Sequence, residues 1–161
     1  YTKLAIDKLA SVADELGDDT LINYAMSRVN MSEVPETSRD MVQFRIGEIK
    51  MRSRRFDEAI RVFSQIGLGS RYYSQALYQK GLAYLELNRP QEAINTFQVM
   101  LSARRKANIT DTNKVAAQLA IARALYQKKD WDGAVNAYAD VPRDHFLWHE
   151  ALYEQSWAML R

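Results

Sequence analysis

A small side chain followed four residues later by an aromatic recurs through this chain in one register, and that recurrence leaves few folds open. Phe56-Asp57-Glu58-Ala59-Ile60 leads to Phe63, Pro90-Gln91-Glu92-Ala93-Ile94 leads to Phe97, and Trp131-Asp132-Gly133-Ala134-Val135 leads to Tyr138. Twelve residues before each of those alanines stands another small residue: Gly47, Gly81 and Ala122. Stepping 34 residues back from Ala59 reaches Ala25, with Val29 four further on and Ala13 twelve before. Small residues at this spacing suit two antiparallel helices that cross closely, because a large side chain on both would hold the axes apart. The expectation is backbone-to-backbone contact at Gly47/Ala59, Gly81/Ala93 and Ala122/Ala134, with the aromatic filling the space beside each crossing.

Between the glycines and prolines, apolar residues recur at helical spacing. Leu4, Leu9, Val12, Ala13 and Leu16 form one stripe; Val42, Ile46 and Ile49 form another. Leu77, Leu82, Tyr84 and Leu85 follow, then Val115, Leu119, Ala122 and Leu125. No stretch alternates as a strand would. Gly17-Asp18-Asp19-Thr20 supplies a terminating glycine and N-cap candidates, and Thr37 with Asp40 resembles a capping box. Pro90 suits a first helical position and Asp130 a cap. The pattern reads as nine helices of three to four turns, joined by short connections that favour antiparallel neighbours.

At these residues the chain resembles the tetratricopeptide repeat family. Leu77, Gly81, Tyr84, Ala93 and Phe97 fall at the family's spacing; the second unit keeps Gly47, Ala59 and Phe63 but has Lys50 where an aromatic is expected. The fourth keeps Ala134 and Tyr138 and replaces the glycine by Ala122, and the first carries only small and aliphatic residues at the key sites. Ala151-Leu152-Tyr153-Glu154-Gln155-Ser156-Trp157-Ala158 reads like Ala76 to Ala83 and makes a fifth first-helix without a partner before Arg161. The resemblance implies an all-α, right-handed superhelical solenoid of antiparallel helix pairs. Its repeats would span about 1–35, 36–69, 70–110 and 111–143, with a terminal helix at 144–161, as a single domain. Tyr1 in place of Met suggests a processed or excised piece of a longer protein.

One interval departs from the period. Ala93 to Ala134 is seven residues longer than the others. That is about two turns at 3.6 residues each, one for each flanking helix. Longer helices around Ser102–Thr112 are therefore expected, with Arg104, Arg105 and Lys106 near one helix end. Those cations either complement the helix dipole or offer a basic contact.

Composition narrows the function. Across 161 residues, 22 Lys plus Arg oppose 20 Asp plus Glu, so net charge points to neither nucleic acid nor an acidic membrane. The longest apolar stretch, Val115 to Tyr126, is interrupted by Gln118 and Arg123, so no membrane insertion is expected. With no cysteine and two histidines, thiolate metal sites and a Cys nucleophile are excluded. His145 and His149 are four apart and would share a helix face, but two histidines do not make a zinc site. No phosphate loop or nucleophile elbow is present. The reading is no enzyme, no cofactor, no metal and no catalytic residues.

Binding fits better. In the resembled family, residues three before, one after and four after the glycine position often face the inner groove. They pick out Phe44, Glu48 and Met51; Tyr78, Leu82 and Leu85; Leu119, Arg123 and Tyr126; and Tyr153, Trp157 and Leu160. The first unit contributes Ala10, Asp14 and Gly17, a poor surface. The expected groove is apolar and aromatic with few charges, and it would hold an apolar or amphipathic peptide or helix. The carboxylate clamp of the family's co-chaperones is not matched, because the corresponding places hold Ala10, Asp14, Arg45, Gln75 and Gln79. A second reading is assembly or self-association through the unpaired last helix. A third is RNA recognition by a similar helical repeat, disfavoured by the 34-residue interval and the apolar inner residues. The Trp148 to Tyr153 run with Trp157 is similar to repeats of bacterial envelope proteins, so a periplasmic or envelope location is expected ahead of a cytoplasmic one.

Overall fold

A computed structural model describes Lys8, Val12, Thr20, Val34 and residues 36–103 and 111–161. Seven helices follow one another: α1 Glu36–Arg52, α2 Phe56–Phe63, α3 Tyr73–Glu86, α4 Pro90–Ser102, α5 Asp111–Gln127, α6 Trp131–Ala139 and α7 Trp148–Met159. No strand occurs among the described residues. Each helix packs on the one before and the one after, so α1/α2, α3/α4 and α5/α6 are antiparallel pairs stacked in chain order, with α7 laid on α6. This is a helical solenoid. The first two of the nine expected helices, with the Gly17 to Asp19 stop signal, lie outside the described residues.

Pro90 opens α4, and Asp130 caps α6 by accepting the Gly133 N–H at 3.1 Å. Thr37 does not cap: α1 begins at Glu36, so Thr37 lies inside its first turn. At the equivalent of Asp130, the second and third units carry arginines that pair forward instead. Arg55 reaches Glu58 at 2.6 Å and Arg89 reaches Glu92 at 2.9 Å. Gly133 stands where those glutamates stand, and a Cβ there would meet the Asp130 carboxylate at 2.7 Å. The two solutions are mutually exclusive.

All three turns within pairs share one backbone form. Arg54, Asn88 and Lys129 adopt φ of 57°, 56° and 65°, in the left-handed region. The next residue's N–H then reaches back five residues: Arg55 to Lys50 O at 2.8 Å, Arg89 to Tyr84 O at 2.8 Å, Asp130 to Leu125 O at 3.0 Å. These are Schellman closures of the kind glycine usually completes. For Lys129, relief of about 1–2 kcal/mol of left-handed strain opposes about 0.5–1 kcal/mol of added chain entropy in glycine. Lys129→Gly is expected to stabilise by roughly 0.5–1 kcal/mol on those two figures. Asn88→Gly should gain less, since asparagine tolerates this region. Thermal unfolding of both variants checks the order.

The core runs as a series of clusters between successive helices. Ala93, Ile94, Phe97 and Met100 of α4 pack with Ala117, Ala120 and Ala124 of α5, and Leu77, Tyr78, Leu82, Tyr84 and Leu85 of α3 close over them. Phe63 and Ala59 form the matching cluster with Phe44 and Ala76. Val115, Leu119, Ala122, Ala134, Tyr138, Ala151 and Ala158 form the last.

At Gly47 and Gly81 the close approach is to the aromatic of the next helix. What stands nearest to Gly47 is the ring of Phe63, and nearest to Gly81 the ring of Phe97; a Cβ would come within 2.6 Å and 2.5 Å of their Cζ atoms. The glycine makes a seat for the aromatic of the next helix. Ala122 fills that seat in the unit whose aromatic is Tyr138.

The seven extra residues appear partly as helix. α4 has 13 residues against 8 in α2, and α5 has 17 against 14 in α3. Residues 104–110, with Arg104, Arg105 and Lys106, lie outside the described residues.

Candidate functional site

The first helices of successive pairs stand side by side, and a hollow of about 580 Å³ opens along them. α1 contributes Phe44, Arg45 and Glu48, α3 contributes Gln75, Tyr78 and Gln79, and α5 contributes Asn113; Arg71 and Tyr72 enter from the turn before α3. One wall is aromatic. Phe44 stacks on Tyr72 with centroids 5.3 Å apart and tilts against Phe63 at 5.8 Å. Arg71 lies over the Tyr72 ring at 4.8 Å and donates to its hydroxyl at 2.6 Å. The rest of the lining is mostly polar, with Arg45 paired to Glu48 at 2.8 Å. Two guanidiniums against one carboxylate give the hollow a positive lean. Burial pushes the Tyr78 hydroxyl above its ordinary value, so it stays a neutral donor.

A second hollow of about 310 Å³ lies between α5, α6 and α7, lined by Arg123, Tyr126, Tyr138, Glu154 and Trp157. Arg123 forks onto Glu154, with Nε at 2.9 Å from Oε2 and Nη2 at 2.7 Å from Oε1, and its Nη2 also reaches Glu150 at 2.5 Å. The hydrogen bonds to Glu154 hold the guanidinium charged far beyond any accessible pH. Burial first, then the Glu154 carboxylate, raise the Tyr138 hydroxyl well above its ordinary value.

The expected groove residues divide. Phe44, Glu48 and Tyr78 meet in the first hollow; Arg123, Tyr126 and Trp157 meet in the second. Met51 packs against the Phe44–Phe63 cluster, and Leu82 and Leu85 pack over the α4 cluster. Leu119 is a correction: at 2 % exposure it belongs to the core. Its side chain is too short to reach past the Tyr138 cluster, whereas the longer Tyr78 packs on Phe97 at 5.8 Å and still lines the hollow. Tyr153 is 64 % exposed and meets Trp157 edge-on at 6.2 Å, outside both hollows.

The lining of the first hollow is also more polar than expected. Arg45, Gln75 and Gln79 line it together with Arg71, Tyr72 and Asn113, which the groove offsets miss. Arg71 and Tyr72 sit in a turn, off the helical positions those offsets address, and no matching pair recurs one period away. His145 and His149 do not share a helix face. His145 lies in the turn before α7, where its Nδ1 accepts the Leu147 N–H at 3.2 Å, and His149 packs edge-on against Trp148 at 5.0 Å. Among the described residues no group of three or more His, Cys, Asp or Glu could hold a metal ion, and no helix is long and apolar enough to cross a membrane.

Comparison with known proteins agrees with the stacked pairs. Two family models match, both described as tetratricopeptide repeat, over residues 44–108 and 116–145. Comparisons with curated proteins and with solved structures give no match. The matched segments begin at Phe44 in α1 and end in the turn after α6, and they include Gly47, Gly81 and the aromatics Phe63, Phe97 and Tyr138. The chain is a tetratricopeptide repeat protein.

Proposed function

We propose that this chain is a scaffold that holds an amphipathic peptide segment of another protein along its first helices. Tetratricopeptide repeats generally mediate protein–protein interaction and are typically non-enzymatic. The observation that carries the finer reading is the first hollow, whose lining mixes the rings of Phe44, Tyr72 and Tyr78 with polar side chains of α1, α3 and α5. Tyr72 offers apolar contact over the buried Phe44 ring, Gln75 and Gln79 offer both donors and acceptors, and Arg45 and Arg71 favour an acidic side chain nearby. A wholly apolar ligand would cover the Gln75 and Gln79 amides without offering them hydrogen bonds, at about 1–3 kcal/mol each. An amphipathic segment with an acidic residue beside its apolar anchor avoids that cost.

Selection of random peptides on phage against the whole chain tests this. Enriched peptides should pair an acidic residue with an aromatic or aliphatic one. Their affinity should fall at least about tenfold, or about 1.4 kcal/mol, in Arg71→Glu. Arg71 is exposed, so circular dichroism should show unchanged helix content. Binding indifferent to that reversal, or no enrichment at all, removes the reading.

A further inference from the structure

A third hollow lies on the other side of α3. At about 3.6 residues per turn, Tyr73, Leu77 and Lys80 project opposite to Gln75, Tyr78 and Gln79, which line the first hollow. The space is about 300 Å³, at the lower end of small-molecule sites. Phe63 and Ile66, both buried, close it from α2 and the turn after it, while Leu77 of α3 and Val99 of α4 form more open apolar walls.

Lys80 departs from the logic of the repeat. Its place, one before the small residue of the first helix, is held by Ile46 in α1 and Ile121 in α5, and both pack as partly buried core side chains. Gln155 holds it in α7, so among these helices α3 alone carries a cation there. The Lys80 ammonium is half-buried, and burial lowers its pKa with no carboxylate opposing that effect. No acidic residue lines the hollow. Among the described residues its Nζ meets only the Tyr84 ring, 6.0 Å away at the edge of cation–π range, and Arg89 occupies that ring at 4.9 Å.

The hydrogen bonds show why the fold does not satisfy this ammonium. Gln155 donates to the Val135 carbonyl of α6 at 2.9 Å. The corresponding carbonyl beside α3 is that of Ile60, and both of its lone pairs are used, by the Ser64 hydroxyl at 2.6 Å and the Ser64 N–H at 3.0 Å. Ala139 stands at the place of Ser64 in α6 and has no hydroxyl to compete. Thr96, also in the lining, likewise turns its hydroxyl onto its own helix, at the Glu92 carbonyl at 2.7 Å.

We infer that this hollow binds a small monocarboxylate with an apolar body, the carboxylate on Lys80 and the body against Leu77 and Val99. One ammonium balances one negative charge, and with both hydroxyls engaged the lining offers no second cation for a phosphate. A bare inorganic anion would lose hydration against the apolar walls and gain little in return. The site lies across α3 from the first hollow and does not rest on the peptide reading.

Phenylacetate is the probe, titrated into the isotopically labelled whole chain to about 10 mM and followed by amide NMR. Saturable shifts are expected at Leu77, Lys80, Asn95 and Val99. Phenylacetamide keeps the ring without the charge and should bind at least about tenfold more weakly. Lys80→Met should weaken phenylacetate by at least about tenfold and keep the fold, since apolar side chains hold this place in α1 and α5. Asn95→Asp, at an exposed position of the lining, supplies a rival carboxylate and should also weaken binding. No saturation, equal affinity for acid and amide, or binding unchanged in Lys80→Met overturns the inference. Shifts confined to Gln75, Gln79 and Asn113 also overturn it, because they place the anion on the arginines of the first hollow.

Discussion

Phe97→Ala is expected to cost about 3–5 kcal/mol of stability, the range for deleting a fully buried aromatic ring. Phe97 is wholly buried, touches both Gly81 and Tyr78, and belongs to the cluster that joins α4 to α5. The partner change is Gly81→Ala. Alanine is the better helix former by about 1 kcal/mol, but its Cβ would stand 2.5 Å from Phe97 Cζ. The ring is held on every side, so overpacking of about 1–3 kcal/mol outweighs the helical gain. The net expectation is a loss of up to about 2 kcal/mol from these two opposing effects. In a Phe97→Ala background the same Gly81→Ala change should become neutral or stabilising, because the obstruction is gone. Urea denaturation of the four proteins measures the coupling. A Gly81→Ala protein as stable as the parent would show that the seat is not tight.

Arg123→Met is expected to release α7 while leaving α1 to α4 as they were. The guanidinium holds Glu150 and Glu154 together, and its loss leaves two neighbouring carboxylates without a cation between them. Both carboxylates are partly solvated, so the cost is nearer that of partly exposed charge-assisted bonds, about 1–2 kcal/mol. Arg123→Lys keeps the charge but not the fork, and should recover less than half of the loss. Hydrogen exchange reads the result locally: amides in 148–159 should exchange about five- to thirtyfold faster, the same 1–2 kcal/mol expressed as an opening equilibrium. Unchanged protection of α7 in Arg123→Met would mean that Ala151 and Ala158 alone dock the helix.

Both effects bear on what was legible in the residues alone. The pairing register was open to reading, because Gly81, Ala93 and Phe97 repeat at fixed offsets and each has one geometric reason to be where it is. How directly the ring covers each glycine was not, since spacing places the aromatic near the crossing without fixing which way the ring turns. The turns hid their backbone form for a different reason: only Asn88 is a residue that favours the left-handed region, and arginine and lysine stand at the other two places. Groove offsets found Phe44, Glu48 and Tyr78 but also selected Leu119, because whether a position near the crossing reaches the surface depends on side-chain length. Arg71, Tyr72 and Asn113 were invisible to the repeat, as none of them recurs.

Polar contacts also stitch one turn to the next along the molecule. Arg89 reaches Asp57 at 3.9 Å across the second and third units, while Gln127 donates to the Leu85 carbonyl and to Asn88 at 3.1 Å each, and Lys128 reaches Gln91 at 2.8 Å. Such exposed ties are individually weak, and the ionic one is open to screening. Unlike the buried seats, they can open one at a time without unfolding anything. Loosening any one of these ties would leave the buried seats beside it intact, so the line of turns adds little to what holds neighbouring units together.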